Sequence, residues 1–312
     1  MNQSPLLSIG HKKFMEFSNQ TKAYIYALSA VAIWSTVASA FKLSLQYMDP
    51  VQLLLYASLT SVIVLFCVVA SQKKLHLLTR LTVKNTLISM GMGALNPLLY
   101  YLILFKAYDL LPAQEAQALN YTWAITMALL SIPLLGQKLG KQQIVAIGIS
   151  YAGIVVIATH GEIHLSHFSD PLGTALALVS TVIWSLYWIF NTRDRFDPCV
   201  RLFLNFCFGT VYILLCTPCL SSFVLTSVQG LFGAIYVGIF EMGITFVFWL
   251  MALKHTTSAA RISQLIYLSP LISLGLIHLL VGETILPSTL IGLTLILLGV
   301  MGQGKSRMQD KK

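Results

Sequence analysis

The chain has 312 residues, 56% of them hydrophobic and only 10% charged, and carries a formal net charge of +9. Soluble domains hold about 25% charged residues, so a water-soluble globular protein is excluded. The apolar residues instead fall in blocks of roughly twenty, enough for a helix to cross a bilayer core at 1.5 Å per residue. Residues 1–21 are polar, contain Lys12 and Lys13 and lack the apolar core of a secretory signal, so they read as a tail preceding an uncleaved first span.

Ten spans follow between breakers. The first, 23–45, carries Trp34 at mid-depth and Lys42 toward its far end, and is followed by the Asp49-Pro50 turn and the span 51–70. The third, 85–105, contains Asn96-Pro97, where the missing helix hydrogen bond predicts a kink. After Leu111-Pro112 the fourth, 113–135, brings Glu115, Asn120 and Tyr121; the fifth is 142–159. Asp170-Pro171 opens 172–190, which holds Trp184, Tyr187 and Trp188, and Asp197-Pro198 opens 200–220. Glu241 sits near the middle of 229–253; the span 258–281 begins with Arg261 and Gln264; 286–301 completes the set. The five cysteines include one CxxC, Cys216 and Cys219, without the His or Cys cluster of a metal or redox site.

With the N-terminus in the cytoplasm, every one of the 20 Lys and Arg except Lys42 and Lys106 falls on the cytoplasmic side. Topology therefore accounts for the positive charge, and nucleic-acid binding is not implied. Both termini are expected in the cytoplasm.

The halves repeat. Ile33-Trp34-Ser35 recurs as Ile183-Trp184-Ser185, each followed by an Asp-Pro turn, and a shift of 146 pairs Tyr121 with Tyr267, Gly136 with Gly282 and Gly153 with Gly299. Five spans per half is an odd number, so the halves must be inverted. The expected fold is all-α integral membrane, ten transmembrane helices as two inverted five-helix repeats around a central cavity. The expected divisions are a tail 1–21, a first repeat 22–160, an external linker 161–171, a second repeat 172–303 and a cytoplasmic tail 304–312. Inverted repeats suit transporters that expose a midplane site to each side in turn, although some channels have them too.

The order Leu268-Ser269-Pro270, Gly282-Glu283, Ile291-Gly292 and Leu298-Gly299-Val300 resembles the EamA domain of the drug/metabolite transporter superfamily. The first half carries a degenerate copy in Gly136-Gln137 and Gly153-Ile154-Val155. The run from Glu115 to Trp123 is also similar to the fourth span of bacterial aromatic amino acid exporters, with Ala124 where those have Pro. The resemblance implies export of amino acids or other metabolites across a bacterial inner membrane. It also implies a cavity lined by spans one, three, four, six, eight and nine.

An ionisable side chain at membrane depth costs about 2.5–3.5 kcal/mol on insertion scales and calls for a partner or a cavity. Glu241 is the clearest case: it could bind a substrate amine or carry a proton, or serve as a structural hydrogen-bonded acid. A shift of 145 pairs it with Asn96, so both could line one cavity. Glu115, Asn120 and Tyr121 are candidates on the fourth span, with interfacial snorkelling as the plainer reading of Glu115. Lys42 could hold a substrate carboxylate, pair with Glu115, Asp49 or Glu283, or snorkel outward. Trp34, Trp184 and Tyr187 could wall a cavity against an apolar or aromatic substrate, or simply pack. Arg261 and Gln264 could receive a substrate carboxylate or contact lipid phosphate. No catalytic or ATP-binding motif is present, so neither an enzyme nor a cofactor is expected. The expected partners are a small-molecule substrate and the bilayer, with proton coupling and facilitated diffusion both open. A non-transporting scaffold, a membrane-embedded enzyme and a channel-like facilitator are the alternatives. The sequence does not specify an oligomeric state.

Overall fold

The structure, a computed structural model, describes residues 18–136, 140–161, 170–225, 227–256, 262 and 265–309. Among these, regular structure is helical. The main helices are α1 (Asn19–Leu45), α2 (Pro50–Ser71), α3 (Val83–Leu110), α4 (Ala113–Leu135) and α5 (Lys141–Ala158). They continue as α6 (Pro171–Arg193), α7 (Pro198–Leu220), α8 (Val228–His255), α9 (Leu265–Val281) and α10 (Pro287–Gln309). Among the described residues seven of them, α1 to α4 and α6 to α8, are long and apolar enough to cross a membrane. The apolar parts of the other three are shorter: Ile144–Ala158, Leu265–Val281 and Pro287–Gly302. The reason is local. Helix α5 spends its first turn on Lys141, Gln142 and Gln143, and the expected start of the ninth span at 258 lies outside the described residues.

The Asp-Pro turns act as helix starts. Asp49 accepts the backbone N–H of Val51 and Gln52, Asp197 those of Cys199 and Val200, and Asp170 that of Gly173. Proline at the first helical position loses no hydrogen bond there. Gly136 and Gly282 end α4 and α9 in the left-handed region, at φ 65° and 80°, which suits a residue without a Cβ.

Helix packing is internally symmetric. Exchanging the halves maps α1 on α8 into α6 on α3, α1 on α9 into α6 on α4, and α2 on α8 into α7 on α3; α2 packs on α7 and α5 on α10. The α5–α10 seam is glycine-lined: a Cβ on Gly153 would lie 2.5 Å from Gly292 O, and Ser150 Oγ donates to Ile296 O at 3.3 Å.

Two helices widen in matching places. In α3 the stretch Ala94–Leu99 widens around Asn96, whose φ of −145° and ψ of 116° are not helical. In α8 the stretch Val237–Ile244, with Glu241 in its middle, widens likewise. Gly93 abuts Asn205 O of α7 at a distance only glycine tolerates, and Gly238 abuts Ala57 O of α2 in the corresponding way.

Polar contacts gather helix ends at one end of the bundle. Lys42 Nζ, late in α1, donates to Tyr108 O and Leu111 O at the end of α3, at 2.9 and 2.7 Å. The Glu283 carboxylate, just past α9, receives the N–H groups of Ala113 and Gln114 at the start of α4, at 2.7 and 3.2 Å. His160, after α5, meets Glu115 at 2.8 Å. Asp49, before α2, accepts from Ser221 Oγ, after α7. The opposite end holds the reciprocal contact: Asp197, before α7, pairs at 2.7 Å with Lys74, after α2.

Candidate functional site

The widened segments of α3 and α8 bring polar side chains into the apolar interior. Glu241 is buried, and its Oε1 accepts from Tyr101 Oη at 3.0 Å. Trp34 of α1 is the other side-chain donor facing this carboxyl, while Oε2 completes no hydrogen bond of ordinary geometry among the described residues. Asn96 is fully buried and neither of its polar atoms completes a hydrogen bond. The Tyr187 hydroxyl of α6 faces Asn96 and receives a bond from Asn205 Nδ2 of α7 at 3.4 Å; Asn205 Oδ1 is also unsatisfied. A buried polar group without a partner costs about 1–3 kcal/mol, and hydrocarbon offers no water to relieve it. Glu241, Asn96 and Asn205 gather three such groups where α3, α7 and α8 meet, linked through the Tyr101 and Tyr187 hydroxyls.

Aromatic rings frame this polar centre. Trp184 stacks on Tyr100 with centroids 4.4 Å apart at 27°, touches Phe246 at 5.7 Å, and lies 6.1 Å from Tyr187. Trp34 packs on Trp249 at 5.2 Å. Together these supply flat apolar faces beside a carboxylate and two amides.

Other expected residues fall into different places. Asn120 is held by its own network, donating to Ser180 Oγ at 3.0 Å and accepting from Tyr100 Oη at 3.5 Å, and Tyr121 faces Ser269 of α9. Glu115 and Lys42 lie at the bundle end described above, Glu115 on His160 and Lys42 capping α3. A cation at a helix C-terminus complements the partial negative charge there. Arg261 and Gln264 lie outside the described residues, as does Gln137, the repeat partner of Glu283. Three residues of the centre, Tyr100, Tyr101 and Asn205, were missed from sequence. Asn205 was findable by a signal like that of Asn96, an amide inside an apolar span.

A cleft of about 880 Å³ separates the first turns of α3 from the end of α6. Lys84, Ile88, Met92 and Leu95 are on one wall, Phe190 and Arg193 on the other. It therefore reaches within one residue of Asn96. The repeat-related pair, the start of α8 and the end of α1, is closed instead: a Cβ on Gly230 would come within 2.7 Å of Met48 Cε, and one on Gly233 within 3.0 Å of Ser44 Cβ.

The fold is that of an all-α, multi-span membrane protein, and intramembrane ionisable residues such as Glu241 mark substrate or ion pathways in that class. The EamA-like transporter family model matches residues 21–159 and again 171–303, and the chain belongs to that family. It is a membrane transporter for small solutes and not an enzyme. An uncharacterized transporter of Clostridium kluyveri is 27% identical over 300 residues, covering 89% of this chain and 91% of that protein. The aromatic amino acid exporter YddG of Ancylobacter novellus is 27% identical over 177 residues, covering 56% of this chain and 61% of its own length. A solved crystal structure shares the fold at a TM-score of 0.65 and 20% identity, covering 94% of this chain and 99% of the other.

Proposed function

We propose that the chain is a secondary transporter that exports a small amphipathic metabolite, an amino acid or a related compound, by alternating access. The observation that carries this is the pair Asn96 and Glu241: repeat-related, buried in widened helix segments, and carrying polar atoms left unsatisfied among the described residues. In this reading Glu241 takes the substrate ammonium or a proton. Asn96 and Asn205 take its polar end, and Trp34, Trp184 and Tyr187 hold its apolar body. A scaffold would gain nothing from such atoms, and a channel would be expected to have more polar spans.

The architecture we infer is ten spans in two inverted repeats, 22–160 and 172–303, joined by the linker 161–171. Both tails face the cytoplasm of a bacterial inner membrane. The exchange symmetry of helix packing supports the repeat. So do the contacts that place the end of α1 beside the start of α8 and the end of α7 beside the start of α2. In this orientation the α3–α6 cleft opens to the cytoplasm, and the α1–α8 gate on the far side is shut. One open and one closed gate related by the repeat is what alternating access requires.

Counterflow in proteoliposomes, with a panel of amino acids and amines and with or without a pH gradient, tests the reading. Some member of the panel should exchange, and Glu241→Gln should cut the rate by about tenfold or more and flatten its pH dependence. Unchanged exchange in Glu241→Gln, in protein that folds normally, would remove the proposed site.

A further inference from the structure

The α3–α6 cleft has a composition that the central site does not explain. Its walls are apolar, formed by Leu87, Ile88, Met92, Leu95 and Phe190, and its rim is basic, with Lys84, Arg193 and Arg195. One acid, Asp194, lies on the rim, but Arg201 holds both its oxygens, so it does not cancel the three cations. Arg193 spends one donor on Leu134 O and keeps the rest of its guanidinium. The outer lip is apolar as well: Val83 is 78% exposed and Leu87 61%, as suits side chains that face lipid. Besides its opening at the end of the bundle, the cleft has an apolar flank between two helices, at the level where a basic rim meets a hydrocarbon wall.

We infer that this cleft binds an anionic phospholipid, its phosphate on Lys84, Arg193 and Arg195 and an acyl chain against Leu87, Ile88 and Met92. Basic residues beside a gap between membrane helices attract acidic headgroups. The apolar walls continue for about two helical turns from the rim toward Leu95, a length that an acyl chain attached to an anionic headgroup would fill. The consequence is mechanical. If α3 is to close on α6 as α8 closes on α1, the chain must leave, so the bound lipid holds the cleft open. The site stands whatever solute is carried.

Gly91 gives a test that leaves the charges alone, because it lines the cleft and a Cβ placed there meets nothing within 4 Å. Full-length protein would be taken from bilayers of equal phosphatidylglycerol and phosphatidylcholine, and retained lipid counted by native mass spectrometry. The chain as it stands should retain phosphatidylglycerol selectively. The triple variant Lys84→Gln, Arg193→Gln, Arg195→Gln should lose that selectivity by about tenfold or more, and so should Gly91→Phe. A control, Lys73→Gln with Arg80→Gln, should keep it. If Gly91→Phe retains phosphatidylglycerol while the triple variant loses it, the rim attracts headgroups without an acyl-chain site, and the proposal fails. Displacement by soluble glycerol phosphate, or equal retention by all variants, would overturn it as well.

Discussion

Arg201 offers a sharp test of how the end of the bundle where α3 begins and α6 ends is held. Its side chain is 1% exposed, yet it is a permanent cation. Nε and Nη2 bind Asp194; Nη1 donates to Asn85 O at 2.7 Å and Ser89 Oγ at 2.6 Å, and Nη2 to Asn85 Oδ1 at 3.2 Å. Phe196 lies against the guanidinium at 4.9 Å. The group thus ties α7 to the start of α3 and to the connection after α6. Arg201→Met leaves Asp194, Ser89 and Asn85 without their donor, and removing one partner of a buried pair costs about 3–5 kcal/mol. At about 2 °C per kcal/mol for a large chain, Tm in detergent should fall by about 6–10 °C. Replacing both charges with apolar groups is nearly neutral in comparable pairs, so Arg201→Met with Asp194→Leu should recover much of the loss. A single variant within about 2 °C of the parent, or a double variant no better than the single, would refute this account.

The same pair sets a pH dependence. Burial pushes the Asp194 carboxyl upward, but the Arg201 hydrogen bonds and charge, with backbone N–H groups, outweigh it and hold the carboxyl below its ordinary value. A depressed folded-state value means the contribution is present above the unfolded carboxylate range, near pH 3.9, and fades as pH falls through the folded value. Melting curves of Asp194→Asn and the parent should therefore differ at neutral pH and converge under acid. Lys42→Met should lower Tm by no more than about 2 °C, as loss of a helix-end cation of about 0.3–1 kcal/mol implies, with transport retained; abolished transport at unchanged Tm would make Lys42 a substrate ligand. Gly233→Val should abolish exchange while the protein still folds, because the side chain would wedge α8 off Ser44 and hold the far gate ajar; cysteine accessibility at that end should rise, and unchanged labelling would contradict the closed gate. Trp184→Ala should raise KM for aromatic solutes more than for aliphatic ones, since the loss is of a ring stacked on Tyr100.

Much of this protein could be read before any coordinates. Hydropathy places the helices because lipid allows a buried backbone only if its hydrogen bonds close within the segment. The Asp-Pro turns, the glycine ends of α4 and α9 and the break at Asn96-Pro97 are local backbone chemistry, visible in two or three residues. The offset of 146 is arithmetic on the chain, and in the structure it relates Gly136 to Gly282 and Ser150 to Ile296. What the sequence could not decide is which polar side chains keep company. Glu115 and Glu241 look alike as acids in apolar runs, but one meets His160 at the bundle end and the other lies unpaired on one oxygen at the centre. Lys42 had three plausible carboxylate partners and took two carbonyls instead. Tyr101 stands 140 residues from Glu241 along the chain, and Asn205 reaches the Asn96 neighbourhood from α7. Only helix rotation and crossing set those distances, since a turn of a few tens of degrees carries a side chain from a lipid face to the interior, and nothing local to a span fixes that turn.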